Sequence, residues 1–450
     1  MKILATIGPV SQNLESIKKI NNYTNLFRLN GSHNSLLWHK KISRLIKSIN
    51  ANNKILFDIP GIKPRTNNIN NISIKSGDLV VFYFKKNFIS KKKFIEVPLT
   101  NPIPNIKSTV KNFSISDGLY SFKIISIKKN ILVGKSYQDF LLKPKKGVNI
   151  PNSYYDNKKQ SSLYLRFLSK AKGVKFDAIG LSYVQNDKIV NVIKKKFPNN
   201  LILSKIENSE GLKNIKKVCQ ASDIIMIDRG DLSAEVGDVK LYDSILEISN
   251  VCTKNGKPLI IATENLDSMI HNSLPTKSEI MSLALSQKLN VDEIMLSDET
   301  ATSKNYLRIL HWLYNFINKY RILRVSEEYS ADLFWKNLKN FNNGTLVIFS
   351  KKGYFLEKII ENNKFFNFIV FSCSKKIIDA CNFRANCLAV KTKNFPRKME
   401  NFIYKNIKKN LNIVFKNNKT ALLVFTNFPK KNSRANTMSL LDKDTFLKKN

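Results

Sequence analysis

Short apolar runs recur along this chain, most of them followed by a polar turn and then by a stretch with helical spacing. The runs are Ile3–Ile7, Asn25–Leu29, Ile55–Ile59, Phe176–Val184, Leu201–Ile206, Asp223–Ile227, Pro258–Ala262 and Glu293–Leu296. Amphipathic segments lie between them, among them Leu14–Ile20, Trp38–Ile49, Ile189–Lys196, Gly211–Val218, Tyr242–Cys252 and Ile280–Leu289. Eight strand-like runs alternating with helices predict an α/β fold, a parallel (β/α)8 TIM barrel. The interval between the third and fourth runs is far too long for a βα crossover. Within it, from Asn67 to Tyr155, the texture changes to alternating strand patterns (Asp78–Phe84, Phe94–Val97, Tyr120–Ile127, Ile131–Gly134) and turn clusters such as Asp117-Gly118. This predicts a small β domain emerging from a barrel loop. An aromatic helix, Tyr306–Tyr320, follows the eighth run. The region from Asn340 to Leu441 then mixes strand-like runs (Thr345–Phe349, Phe368–Phe371, Cys387–Val390, Thr420–Phe425) with helices, as in a small α/β domain. The expected division is barrel at 1–66, inserted β domain at 67–155, barrel again at 156–330 and C-terminal α/β domain at 331–450.

Composition supplies ample core, with 43% hydrophobic residues, and excludes wholesale disorder. Lys+Arg 75 against Asp+Glu 34 leaves a net charge of +41, which would ordinarily point to nucleic acid or an anionic membrane. The excess is mostly Lys and is spread over the whole chain. It accompanies abundant Asn, Ile, Phe and Tyr, all residues of A/T-rich codons. Clusters such as Lys91-Lys92-Lys93, Lys194-Lys195-Lys196 and Lys430-Lys431 are short and separate. The charge therefore reads as solvated surface, and the pattern argues against a nucleic-acid partner. Five cysteines without a CxxC pair read as reduced thiols rather than as a disulfide framework or zinc site. No apolar run approaches the roughly 18 residues of a membrane span. The start, MKILATIGPVS, does not read as a signal peptide. The expectation is a soluble, cytoplasmic protein with no membrane partner.

Barrel enzymes carry reactive groups just beyond the carboxyl ends of their strands. Here those positions hold Arg28-Leu29-Asn30-Gly31-Ser32-His33 after the second run and Asp58-Ile59-Pro60-Gly61-Ile62-Lys63-Pro64-Arg65 after the third. The fifth run ends in Lys205-Ile206-Glu207-Asn208, the sixth in Asp228-Arg229-Gly230-Asp231-Leu232, the seventh in Ala262-Thr263-Glu264 and the eighth in Ser297-Asp298-Glu299-Thr300. Cations suit phosphate and paired carboxylates suit Mg2+. Each motif alone is ambiguous: Lys205-x-Glu207 also reads as a structural pair on one strand face, and Gly230-Asp231 as a turn. Their joint order selects phosphoryl transfer, where catalysis is mainly positioning and charge neutralisation.

At these residues the chain resembles the pyruvate kinase family. The stretches that carry the resemblance are ILATIGPVS, FRLNGSHNS, LFDIPGIKPRT, ISDGLYSFKI, KKGVNIP, LSKIEN, IIMIDRGDL, PLIIATENLDSMI, LPTKSE and EIMLSDETA, in the family's order, with a looser match at VFTNFPKKNSRANTM. The resemblance implies a TIM barrel with an inserted β-barrel lid and a C-terminal α/β domain. It implies a cytoplasmic glycolytic phosphotransferase that moves the phosphoryl group of phosphoenolpyruvate to ADP, giving pyruvate and ATP. Mg2+ or Mn2+ would be its cofactor and a homotetramer its assembly.

The resemblance also implies residue roles. Lys205 would stabilise the transferring phosphoryl group and the enolate, and Thr263 would orient the proton donor. Arg28, Gly230, Asp231 and Thr263 would line the phosphoenolpyruvate site with Lys205. Glu207 and Asp231 would hold the divalent metal. Arg65, His33 and Lys146 would contact nucleotide phosphates. Asn30, Ser32, Asp58 and the Ile59 carbonyl match a monovalent-cation site, and Lys63, where many members have Glu, implies that a tethered ammonium replaces K+.

Other departures are Ile59-Pro60, Asp228 in place of a small apolar residue, Ser233 in place of Gly, Ser282 and Leu285 in the helix after the seventh run, and Asp298 in place of Gly. Ser350-Lys351-Lys352-Gly353-Tyr354 falls where relatives bind a sugar-phosphate effector, and also reads as a surface turn. Two alternatives share parts of the pattern: a related phosphoenolpyruvate or pyruvate lyase, and a catalytically decayed barrel kept for binding.

Overall fold

The structure is a computed structural model that describes residues 1–85, 94–107, 110–128, 130–320, 344–351, 353, 356, 359–360, 366–396, 399–416, 418–425 and 437–447. Lys91-Lys92-Lys93, Lys430-Lys431, Asn340, Lys352, Tyr354 and most of VFTNFPKKNSRANTM lie outside the described residues.

Eight parallel strands close into a barrel: Lys2–Thr6, Leu26–Asn30, Lys54–Ile59, Ala178–Leu181, Leu201–Ile206, Ile224–Asp228, Leu259–Ala262 and Glu293–Leu296. Neighbours in sequence pair around the ring, and the first strand pairs with the eighth in the register Lys2↔Glu293. Each strand corresponds to one of the eight apolar runs. The strand period of two sorts their side chains. Ile3, Phe27, Phe57, Ile202, Ile225, Ile261 and Ile294 face outward under the helices, in one cluster with Ile17, Ile42, Ile193 and Ile248. Leu4, Leu26, Leu56, Leu203, Met226, Ile260 and Met295 face inward and fill the barrel. Continuing that inward parity one step toward the carboxyl ends brings Arg28, Asp58, Lys205 and Asp228 to the top of the barrel interior. The barrel is thus apolar below and charged above.

The expected insertion is present between the third and fourth strands. Its main sheet has six strands, in the order Val148–Asn149, Asn112–Ile115, Tyr120–Lys128, Ile131–Ser136, Leu79–Tyr83, Ile95–Pro98. All pairs are antiparallel except the last. The sheet is open, and two two-stranded pairs accompany it. It has its own core, in which Phe82, Phe113 and Phe122 stack or meet edge to face. The C-terminal region is a five-stranded sheet, Cys387–Lys391, Asn367–Ser372, Thr345–Phe349, Thr420–Phe425, Thr437–Asp442, parallel except for the last strand. No helix among the described residues is long and apolar enough to cross a membrane.

Candidate active site

The residues singled out at the ends of the second, third, fifth and sixth strands meet at the top of the barrel. Lys205 is 5% exposed, and its Nζ lies 2.6 Å from Glu207 Oε1, 3.2 Å from Asp228 Oδ2 and 3.5 Å from Asp58 Oδ2. Arg28 donates to Asp58 Oδ2 from Nε at 2.9 Å and Nη2 at 2.8 Å, and Nη1 reaches Thr6 Oγ1 at 3.1 Å. Asp58 Oδ1 accepts from Ser182 Oγ at 3.0 Å. Burial alone would strip the Lys205 proton, but Asp58, Glu207 and Asp228 outweigh it and push the ammonium well above its ordinary value. Burial would likewise raise Asp58, yet Lys205 and Arg28 hold its carboxyl below the usual range.

Local chain geometry aims the remaining groups. Glu207 follows the fifth strand and is at once succeeded by Asn208, whose Oδ1 caps the helix Ser209–Lys213 by accepting from Gly211 N at 2.7 Å. The other Glu207 oxygen accepts from the backbone N–H of Tyr183, a residue in the left-handed region at φ 65°. Burial, opposed by Lys205 and reinforced by Asp228 and Asp231, pushes the Glu207 carboxyl up to about 8. Asp231 sits in the first turn of the helix Arg229–Val236. Burial works against its ionisation, but the ion pair with Lys63 brings it down to about 2. Carboxylate oxygens of Glu207, Asp228 and Asp231 lie within 4.8 Å of one another. Three hard oxygen donors at that spacing fit a Mg2+ or Mn2+ ion. Asp228, a departure from the family pattern, thus stands inside the carboxylate group.

Thr263 and Glu264 follow the seventh strand with φ of 63° and 52°. A β-branched residue rarely adopts that conformation. Arg229 holds it in place, donating to the Thr263 carbonyl from Nε at 3.1 Å and from Nη2, to Asn265 Oδ1 at 3.0 Å and to Ser282 Oγ at 2.6 Å. Ser282, another departure, is therefore an anchor for that arginine. The Thr263 hydroxyl lies 3.2 Å from Asp228 Oδ1 and 3.3 Å from the N–H of Gly230. Thr263, Gly230 and Asp228 thus converge.

On the other side of the rim, His33 is exposed. Partial loss of solvent, then Arg65 and Arg28, hold its imidazole below the ordinary value. Arg65 is exposed and donates from Nη1 to the Lys145 carbonyl at 3.3 Å. Lys146 is half-buried in a backbone ladder with Thr66, N–H to Oγ1 at 3.0 Å and carbonyl from Thr66 N at 2.8 Å. Arg65 and Lys146 thus share the seam between barrel and insert.

Members of the expected monovalent-cation group make contacts within the chain. Asn30 Oδ1 accepts from Ser32 N at 3.1 Å, in a local turn, and Asp58 is engaged by Arg28, Lys205 and Ser182. The Lys63 ammonium lies against Asp231, 3.6 Å from Asp117 Oδ1 and 5.9 Å from the Tyr183 ring centre. It sits on the Asp231 and Asp117 side, and no contact with Asn30, Ser32 or Asp58 is among those described.

Sequence reasoning did not find Asp117, Ser182, Tyr183 or Glu235. Glu235 is buried and accepts from Tyr183 Oη at 2.8 Å and Ser209 Oγ at 3.4 Å. The one available signal was the Asp117-Gly118 turn, which marked a bend but not what it would touch.

The fold and this rim define a (β/α)8 barrel that gathers buried cations and carboxylates at the carboxyl ends of its strands, beside a β insert after the third. A family model described as pyruvate kinase, barrel domain, matches residues 1–307, and the chain belongs to the pyruvate kinase family. It is 29% identical over 316 residues to the pyruvate kinase of Trypanoplasma borreli, covering 67% of this chain and 63% of that protein. Against the pyruvate kinase of Thermococcus litoralis it is 28% identical over 349 residues, 75% of this chain and 72% of the relative. Against that of Staphylococcus aureus (strain MRSA252) it is 32% identical over 321 residues, 67% and 53%.

Proposed function

We propose that the protein is an active pyruvate kinase, transferring the phosphoryl group of phosphoenolpyruvate to ADP to give pyruvate and ATP in cytoplasmic glycolysis. The observation that carries this is the buried Lys205 ammonium, held by Glu207, Asp228 and Asp58 beside the Arg28 guanidinium. Two fixed cations in a site shielded from water bind a phosphoryl group and stabilise charge as it develops. Lys205 faces the transferring phosphoryl and the enolate oxygen, and Arg28 steadies the phosphate of the donor. Thr263, braced by Arg229 and next to Gly230, orients the water that protonates the enol carbon. Arg65, His33 and Lys146 contact the nucleotide phosphates at the seam, and the insert at 67–155 closes over them to exclude water.

Glu207 and Asp231, with Asp228 beside them, would hold Mg2+ or Mn2+, which when bound neutralises substrate oxygens. Lys63 supplies a positive charge tethered to the chain on the same rim, so K+ is not required. A homotetramer is the assembly expected from membership of the family.

A coupled assay for pyruvate on the purified protein, with and without ADP, Mg2+ and K+, tests this reading. Pyruvate formation should need ADP and the divalent ion, and should change by less than about twofold when K+ is omitted, because an ammonium carries the same unit charge. Pyruvate made without ADP would instead indicate a lyase or phosphatase.

A further inference from the structure

Within the charged rim, five carboxylates (Asp58, Asp117, Glu207, Asp228 and Asp231) face three cations (Arg28, Lys63 and Lys205). The cations are spread over the carboxylates: Lys205 lies between Glu207, Asp228 and Asp58, and Lys63 pairs with Asp231.

Lys63 reaches Asp231 through a slot built by the insert. A methyl group at Gly147 would come within 2.6 Å of the Lys63 Nζ and 2.7 Å of its Cε, so it would push the flexible end of Lys63 out of its present position. Gly147 is tied to both partners. Its carbonyl accepts from Ser116 N at 3.1 Å, it forms a bridge with Arg65, and its neighbour Val148 donates to the Pro64 carbonyl at 2.9 Å. The turn that begins at Ser116 has three successive positive φ angles, 57°, 56° and 96° at Ser116, Asp117 and Gly118. That turn points Asp117 at the rim, where its Oδ1 lies 3.6 Å from the Lys63 ammonium.

We propose that Lys63 is a tethered counter-cation that covers Asp231 in the metal-free protein and couples metal loading to the lid, its ammonium leaving Asp231 for Asp117 of the insert when a divalent ion arrives. The proposal rests on the reading of Glu207 and Asp231 as metal ligands. Two positive charges do not share one half-buried carboxylate without mutual repulsion, so the incoming ion and the ammonium compete for Asp231. Asp117 is the nearest alternative acceptor, and it belongs to the insert. Transfer of the ammonium therefore lets metal binding tighten the ion pair that already crosses the seam between barrel and lid.

The test uses the full chain without phosphoenolpyruvate or ADP. Mn2+ is the probe, its free form followed by electron paramagnetic resonance. Hydrogen exchange of peptides spanning 112–120 and 140–150 reports on the lid. Removing the competing charge in Lys63→Met should tighten Mn2+ binding about tenfold. In the unmodified protein Mn2+ should slow exchange at 112–120, and this response should vanish in Lys63→Met and in Asp117→Asn. Gly147→Ala, which crowds the ammonium out of its slot, should tighten Mn2+ binding in the same direction and keeps the test open if Lys63→Met fails to fold. Equal Mn2+ affinity with and without Lys63 would overturn the competition. An Mn2+ response of the lid that survives Lys63→Met or Asp117→Asn would overturn the coupling. Mn2+ binding that is unchanged in Glu207→Gln would overturn the metal reading and the proposal with it. Binding lost in Glu207→Gln yet indifferent to Lys63 would overturn the proposal alone.

Discussion

Lys205 can remain an ammonium at 5% exposure only because Glu207, Asp228 and Asp58 surround it. Their field outweighs the cost of burial, and a charge fixed in this way needs no reorganisation when a phosphoryl group arrives. In Lys205→Met the barrel should still fold, because the stem packs as before, while kcat falls by about 10²–10³ or more. A near-normal kcat would remove Lys205 from the reaction. Glu235 offers a second test at this scale. Burial, moderated by the Tyr183 hydroxyl, pushes its carboxyl up to about 7. Its unfolded value is near 4.5, so the unfolded chain releases the proton first and stability falls as pH rises between those two values. Glu235→Gln keeps an acceptor for Tyr183 and removes the ionisation. Its Tm should exceed that of the unmodified protein by about 2–4 °C at pH 8, with the gap closing by pH 5. A gap that does not change with pH would show that Glu235 ionises freely. Most of the rim was legible in the sequence. Arg28, Asp58, Lys205 and Asp228 continue the inward parity of apolar strand positions, and that parity can be counted. Asp117, Ser182 and Tyr183 could not be read in this way, because their places depend on left-handed turns and loop paths that leave no periodic trace.

At the scale of elements, the eight barrel strands were visible because each is a run of apolar residues buried on both faces. Short strands of the insert, such as Ile72–Ile74, Asn105–Ile106 and Phe140–Leu142, contain too few alternations to register. The insert's core is separate from both barrel clusters, which makes the insert removable. Tyr155, however, belongs to the barrel side. Its ring meets Tyr183 edge-on at 5.9 Å, and its backbone exchanges hydrogen bonds with Gln185 at 2.7 and 3.2 Å. Replacing residues 67–153 by a short linker and keeping Tyr155 should therefore leave a cooperatively unfolding barrel that forms no ATP from phosphoenolpyruvate and ADP. If the shortened protein still made ATP, Lys146 and the insert would have no part in the reaction. If it did not fold, the insert would be part of the barrel's stability and not a separable lid.

For the whole molecule, the large positive charge is less informative than the few lysines that find carboxylates at the floor of the barrel. There the helix Lys375–Asn382 of the C-terminal region docks against the amino ends of the strands. Lys54 Nζ meets Asp379 Oδ1 at 2.6 Å, Lys375 reaches Asp177 at 3.2 Å, and Lys2 donates to the Asn382 carbonyl at 2.8 Å. Just past the helix, Phe383 is fully buried and joins Leu4, Leu26, Leu56, Leu203 and Met226, so an aromatic ring from the C-terminal region completes the barrel's own interior. Nothing in the pattern around Phe383 marked it, since a lone aromatic after a short helix looks like any other core residue. Its placement makes barrel and C-terminal region one unit of stability. Phe383→Ala removes a ring that the rigid strand floor cannot collapse around, and should cost about 3–5 kcal/mol. Asp379→Ala leaves the Lys54 ammonium buried without its carboxylate and should cost a comparable amount. In urea unfolding, both variants should lower the midpoint of the barrel signal, followed by Trp38 and Trp312 fluorescence in a Trp335→Phe background, although neither residue lies in the barrel's sequence. A midpoint shift confined to the C-terminal sheet would show that the two regions unfold independently and that the ring fills the floor without supporting it.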